Sequence, residues 1–126
     1  MRAEIENIVA EIQDCLELLK QRMDWETAEH RLEEFNAMSE DPDLWNDPVN
    51  AQKLMRERQA LVDSIENYQS LNQELTDNLD LIELGEMEDD QEVVEEAENA
   101  IKSLESTARK RKLEALLNGE ADANDT

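Results

Sequence analysis

Apolar residues recur along this chain at alternating steps of three and four, the spacing that gathers them on one face of an α-helix. Ile5, Ile8, Ile12, Cys15 and Leu19 form the first stripe. Met23 prolongs it, but the next stripe, Ala28, Leu32, Phe35 and Met38, is out of phase with it. The pattern predicts one long helix bent near Asp24, or two helices over about 2–23 and 25–39 with Asp24 capping the second.

Pro42 ends that run, because proline lacks an N–H and disfavours helical geometry in the residue before it. Asp47-Pro48 starts the next helix: the carboxylate can accept from free N–H groups of the first turn, and proline suits the first helical position. Leu44 and Trp45 are apolar inside this acidic turn and are expected to fold back onto the helix ends. They are also candidates for a contact tip, since aromatic anchors are favoured at interfaces. Ala51, Leu54, Leu61, Ile65, Tyr68, Leu75, Leu79 and Ile82 then share one seven-residue repeat, giving a helix over about 48–84, roughly 50 Å long at 1.5 Å per residue. Arg58 and Asn72 interrupt this seam, either fixing register or lying at its edge with their polar ends in water. Gly85 and the run Glu86 to Asp90 are expected to end the helix, with Asp89 or Asp90 capping a last one over about 90–117. Val94, Ala97, Ile101, Leu104 and Ala108 line its inner stripe, and Leu113, Leu116 and Leu117 form a denser patch. Asn118-Gly119 reads as a helix stop, leaving 119–126 as a flexible tail.

The fold class that follows is all-α: an elongated bundle or antiparallel coiled coil of three to four helices in a single domain, 1–118. Composition agrees. With two glycines, two prolines and 3% aromatics in 126 residues, turn and ring residues are too scarce for a β-rich domain. A mean hydropathy of -0.80 supports a narrow core. The net charge of -22, from 34 acidic and 12 basic residues, opposes unaided binding to duplex DNA, whose phosphates require Lys and Arg. Cys15 has no second cysteine to pair with, which suits a reducing compartment. Met1-Arg-Ala-Glu-Ile-Glu does not open a signal peptide, and no stretch approaches the roughly 18 apolar residues of a membrane span. A cytoplasmic location without membrane association is expected.

Catalytic signals are scarce. His30 lies on a charged helical stretch and reads as a surface residue. Carboxylate pairs such as Glu33-Glu34 and Glu95-Glu96 lack a cleft, and Glu86 to Asp90 lacks the ligand spacing of a calcium loop. No catalytic, metal or cofactor residue is assigned, and no small-molecule substrate is expected. One run stands apart: Arg109, Lys110, Arg111 and Lys112 hold four of the twelve basic residues. Consecutive helical residues point all round the axis, so they form a collar. It can pair with Glu105 or Glu114 and the helix carboxyl end, or dock to RNA or an acidic domain.

The Asp41-to-Gln59 turn, Leu81-Ile-Glu-Leu-Gly-Glu-Met-Glu and Leu113-Glu-Ala-Leu-Leu-Asn-Gly-Glu-Ala-Asp together resemble the amino-terminal domain of the bacterial peptide chain release factor 2 family. The resemblance covers about Trp25 to Asp125 and extends loosely to Met1. It implies a helical accessory domain that docks to the ribosome near the stalk base, through protein or RNA there, with release factor 3 and the factor's other domains as further partners. The complete factor reads UAA and UGA and promotes hydrolysis of peptidyl-tRNA. Its Ser-Pro-Phe codon-reading tripeptide and Gly-Gly-Gln loop do not occur here, so the resemblance implies that this chain has no enzymatic activity and that the tail leads towards missing catalytic and codon-reading domains. The alternative is a free-standing acidic helical module that binds a protein partner.

Overall fold

The computed structural model describes the backbone of residues 1–124 and the side chains of 1–117. Four α-helices follow in order: α1 (Ala3–Met23), α2 (Trp25–Ser39), α3 (Pro48–Met87) and α4 (Gln91–Asn124), with a 3-10 turn over Pro42–Asn46 between α2 and α3. There is no strand among the described residues.

The break expected near Asp24 separates α1 from α2. Asp24 adopts the left-handed conformation, φ 54°, and its N–H returns to the Gln21 carbonyl. It does not cap α2 through its side chain; its carboxylate accepts instead from the Thr27 hydroxyl at 2.8 Å. Arg31 reaches back to the Met23 carbonyl and braces the joint.

Four long-range pairs fix the directions of the helices. Arg2 meets Glu98 and Glu11 meets Arg109, so α1 and α4 run parallel. The Trp25 ring lies 4.8 Å from that of Tyr68 and Asn36 meets Arg58, so α2 runs antiparallel to α3. The first half of α3 therefore pairs with α2 as a hairpin, and its second half lies between α1 and α4 in a three-helix bundle. At 40 residues, α3 is about 60 Å long and joins the two regions.

The main core lies in the bundle. Ile5, Ile12 and Ile101 are fully buried, each contributing about 1.5–3 kcal/mol by removal from water. Every position of the inner stripe of α4 from Val94 to Ala108 is buried. On α1, Val9 and Leu16 join the expected stripe, because a helix touching two neighbours must bury a wider face. On α3, Leu71 is buried and Asn72 is exposed, so Asn72 is not a core register device. Arg58 is half-buried at the seam edge and donates to Asn36 Oδ1 at 2.7 Å.

Two expected helix ends move. Gly85 does not end α3, which continues to Met87. Gly85 is buried, and a Cβ there would fall 2.7 Å from Val94 Cγ2 and 3.2 Å from the Asp90 carbonyl oxygen. Its value is close approach of α4, not a stop. The turn itself is made by Asp89, at φ 55°, while the Asp90 carboxylate accepts from the Val93 N–H at 3.3 Å. Likewise Asn118-Gly119 does not terminate α4, whose backbone stays helical to Asn124. Both residues tolerate the left-handed region without being excluded from the right-handed one, and no proline follows to force the stop. Side chains from 118 onward, and all of 125–126, lie outside the described residues, and with them the expectation of a flexible tail.

Candidate docking surfaces at the turn and the basic collar

The turn is built from local polar chemistry. The Asp41 carboxylate accepts from the Asp43 N–H at 3.0 Å, and Pro42 opens the 3-10 turn. The Asp47 carboxylate then accepts from the Asn50 N–H at 3.3 Å, and Pro48 opens α3, as the sequence predicted. Leu44 is half-buried. Trp45 behaves differently. Its Nε1 donates to the Ser39 carbonyl at 3.2 Å, tethering the ring to the end of α2, yet the residue stays 55% exposed. The indole walls a shallow groove of about 530 Å³ with Pro48, Ala51, Met55 and Arg56. Met38 and Val49, both well exposed, add apolar surface to the same region of the chain.

The collar is half consumed within the fold. Arg109 pairs with Glu11 of α1 through both ends of its guanidinium, the Nη2 bond being 3.0 Å, and lies 3.4 Å from Glu105. Arg111 pairs with Glu114 at 3.0 Å. Lys110 and Lys112 are exposed and make no ion pair among the described residues. The bond to Arg109 holds the Glu11 carboxyl below its ordinary value and raises Arg109. Glu105, facing the Glu11 carboxylate and losing some solvent, is pushed up. The two candidate surfaces do not converge, since α4 packs on α1 and α3 and not on α2 or the turn.

One polar site went unread in the sequence. Glu98 is 3% exposed and receives Arg2 at 2.7 and 3.2 Å, a two-pronged pair that tolerates burial. Its signal was present: Glu98 lies four residues after Val94 and three before Ile101, on the apolar stripe itself. In the depression beside it, about 410 Å³, the Met1 ammonium pairs with Glu86 at 2.8 Å and Arg2 with Glu98, while Asp89 makes no ion pair among the described residues. His30 meets Glu34 at 2.9 Å on an exposed face, and Cys15 is a core residue whose thiol burial pushes up. No group of three or more His, Cys, Asp or Glu is placed to hold a metal among the described residues, and no helix there is long and apolar enough to cross a membrane.

An acidic domain, all-helical among the described residues and turning on a polar-capped corner, is the setting for the family match. The PCRF domain family matches residues 28–126, and the chain belongs to it. Peptide chain release factor 2 of Roseobacter denitrificans is 63% identical over 126 residues, all of this chain and 34% of that protein. The same factor of Ruegeria sp. is 62% identical over 125 residues, covering 99% of this chain and 33% of the relative. That of Paramagnetospirillum magneticum is 50% identical, covering 99% of this chain and 34% of the relative. The chain thus spans about a third of the length of the curated relatives it matches.

Proposed function

We propose that this chain is the amino-terminal ribosome-docking domain of a class I release factor that, as a whole, ends translation at UAA and UGA by promoting peptidyl-tRNA hydrolysis in the cytoplasm. The observation that carries this reading is the 63% identity, along every residue of the chain, to a protein named peptide chain release factor 2. The chain's own part is positioning. It contains neither Gly-Gly-Gln nor Ser-Pro-Phe, and with a net charge of -22 its docking is chiefly to protein at the stalk base, with release factor 3 as a second partner.

The test is a reconstituted termination assay with the whole gene product and with the 126-residue chain, on ribosomes stalled at each stop codon. The whole product is expected to release peptide at UAA and UGA and far more slowly at UAG. The short chain is expected to release none and, in excess, to slow the whole product by competing for its dock. Release at UAG in preference to UGA overturns the codon assignment, and release by the chain alone overturns the docking role.

A further inference from the structure

We infer that the groove between Trp45 and the first turns of α3 is a docking site for a basic amphipathic helix of a protein partner, with one apolar side chain seated against Trp45 and Met55. The inference rests on the docking function proposed above and names the surface and the chemistry of what it binds.

Trp45 is the first argument. The indole keeps more than half of its surface open, yet it is tethered by its bond to the Ser39 carbonyl. A fixed aromatic wall with an open face loses little freedom when a partner covers it, which is the property of an interface anchor. The opposite wall is made of small and adaptable residues: Pro48 and Ala51 leave space, and Met55 can adjust to the side chain that enters. A volume of about 530 Å³ fits a large apolar side chain with the backbone that carries it. Val49, 79% exposed on the first turn of α3, extends the apolar surface past the groove.

Charge selects the occupant. Glu40, Asp41, Asp43 and Asp47 are all exposed around the turn and make no ion pair among the described residues, while the chain as a whole carries -22. These carboxylates flank Trp45 in the chain and do not line the groove, whose one charged wall residue is Arg56; the acidic segment they form repels phosphate backbones and favours Lys and Arg flanking an apolar anchor, the pattern of a basic amphipathic helix lying in a groove. A second copy of this chain is disfavoured for the same reason. Arg56, on the α3 side of the groove, suits the carbonyl end of such a helix and so sets its polarity.

The experiment has two arms. In the first, an 18-residue Leu/Lys amphipathic peptide is titrated into the Trp25→Phe chain, so that Trp45 alone reports; Leu/Glu and sequence-scrambled Leu/Lys peptides are the controls. Binding with a blue shift of Trp45 emission is expected for the Leu/Lys helix alone. Trp45→Ala should weaken it at least tenfold, and Glu40→Lys with Asp43→Lys, whose side chains make no bond within the fold, several-fold. Equal binding by the Leu/Glu or scrambled peptide, or an affinity indifferent to both variants, overturns the inference. In the second arm a photoreactive benzoylphenylalanine replaces Gln52 in the whole gene product on terminating ribosomes. An adduct to a basic, apolar helical segment of a protein supports the site, and an adduct to RNA overturns it. A whole product that binds the Leu/Lys peptide but not ribosomes leaves the groove standing and removes the function proposed above.

Discussion

The bundle end and the hairpin end share one helix and differ in how many neighbours that helix has. From Leu71 to Gly85, α3 buries residues towards both α1 and α4, and its partners bring Ile5, Ile12, Ile101 and Leu104 into a continuous core. From Ala51 to Leu61 it faces α2, which buries only Ala28, while Leu32 and Phe35 remain half-exposed. The bundle end is therefore where the domain is held together, and the hairpin end is where apolar surface is left for a partner. Stability and availability are separated along a single helix, because a two-helix contact encloses small residues such as Ala28 and Ala51 but leaves large ones such as Leu32 and Phe35 half-exposed.

The largest expected effect breaks the bundle. Ile101→Ala should cost about 2–5 kcal/mol, the range for a large side chain removed from a fully enclosed site, read as a lower midpoint in urea. Leu54→Ala, at the hairpin, should cost less, about 2 kcal/mol at the low end of that range, because Leu54 is 9% exposed where Ile101 is 0% and fewer neighbours enclose it. An equal loss at both positions would erase the distinction between the two ends.

Gly85→Ala sharpens the contrast at the opposite end of α3. The gain in helix propensity, about 1 kcal/mol, is opposed by the clash with stiff Val94 and the Asp90 carbonyl, about 1–3 kcal/mol, so a net loss of about 1 kcal/mol is expected. Combining it with Val94→Ala should cost less than the sum of the two single changes, since the second removes the atom that the first meets. Hydrogen exchange should then show the amides of α2 and of α3 before Leu61 opening more readily than those of α1 and of α3 after Leu71.

The smallest effect is electrostatic. Glu11 has a depressed folded value, so what it contributes is present in full above its ordinary value of 4.5 and lost as pH falls through the lower one. Glu105 is raised, so its ionised form is a cost at neutral pH that disappears as pH falls through its raised value. Acidification should therefore first help slightly and then harm. Thermal melts of Glu105→Gln should lack the early rise, and those of Glu11→Gln the later fall; identical profiles for both variants and the parent would remove this account. Salt should flatten both, because the groups are exposed.

Much of this organisation was legible because it is local. The Asp47-Pro48 start, the joint at Asp24 and the inner stripe of α4 each depend on residues within a turn or two of one another. The errors have a common source. A single heptad stripe was assigned to the whole of α3, but the position occupied by Glu57 and Ser64 in the hairpin half is occupied by Leu71, Asn78 and Gly85 in the bundle half, and only there does it face a second helix. Gly85 looked like a stop because its lack of a side chain serves conformation and close packing alike. The collar's pairing with Glu105 and Glu114 was legible because it is local, whereas its bond to Glu11 was not, since Glu11 lies 98 residues from Arg109.

By itself the sequence determined that the chain is helical, where its helices begin, that it turns on an acidic, tryptophan-bearing corner, and to which family that corner points. These follow from backbone preferences and from the spacing of apolar residues, which act over a few positions. The packing of distant segments sets the rest: α1 runs parallel to α4, Arg2 pairs with a buried Glu98, Arg109 is held by Glu11, and Trp45 stands exposed beside an open groove. Each depends on which surfaces distant segments cover, and no local periodicity encodes which stripe will find which neighbour.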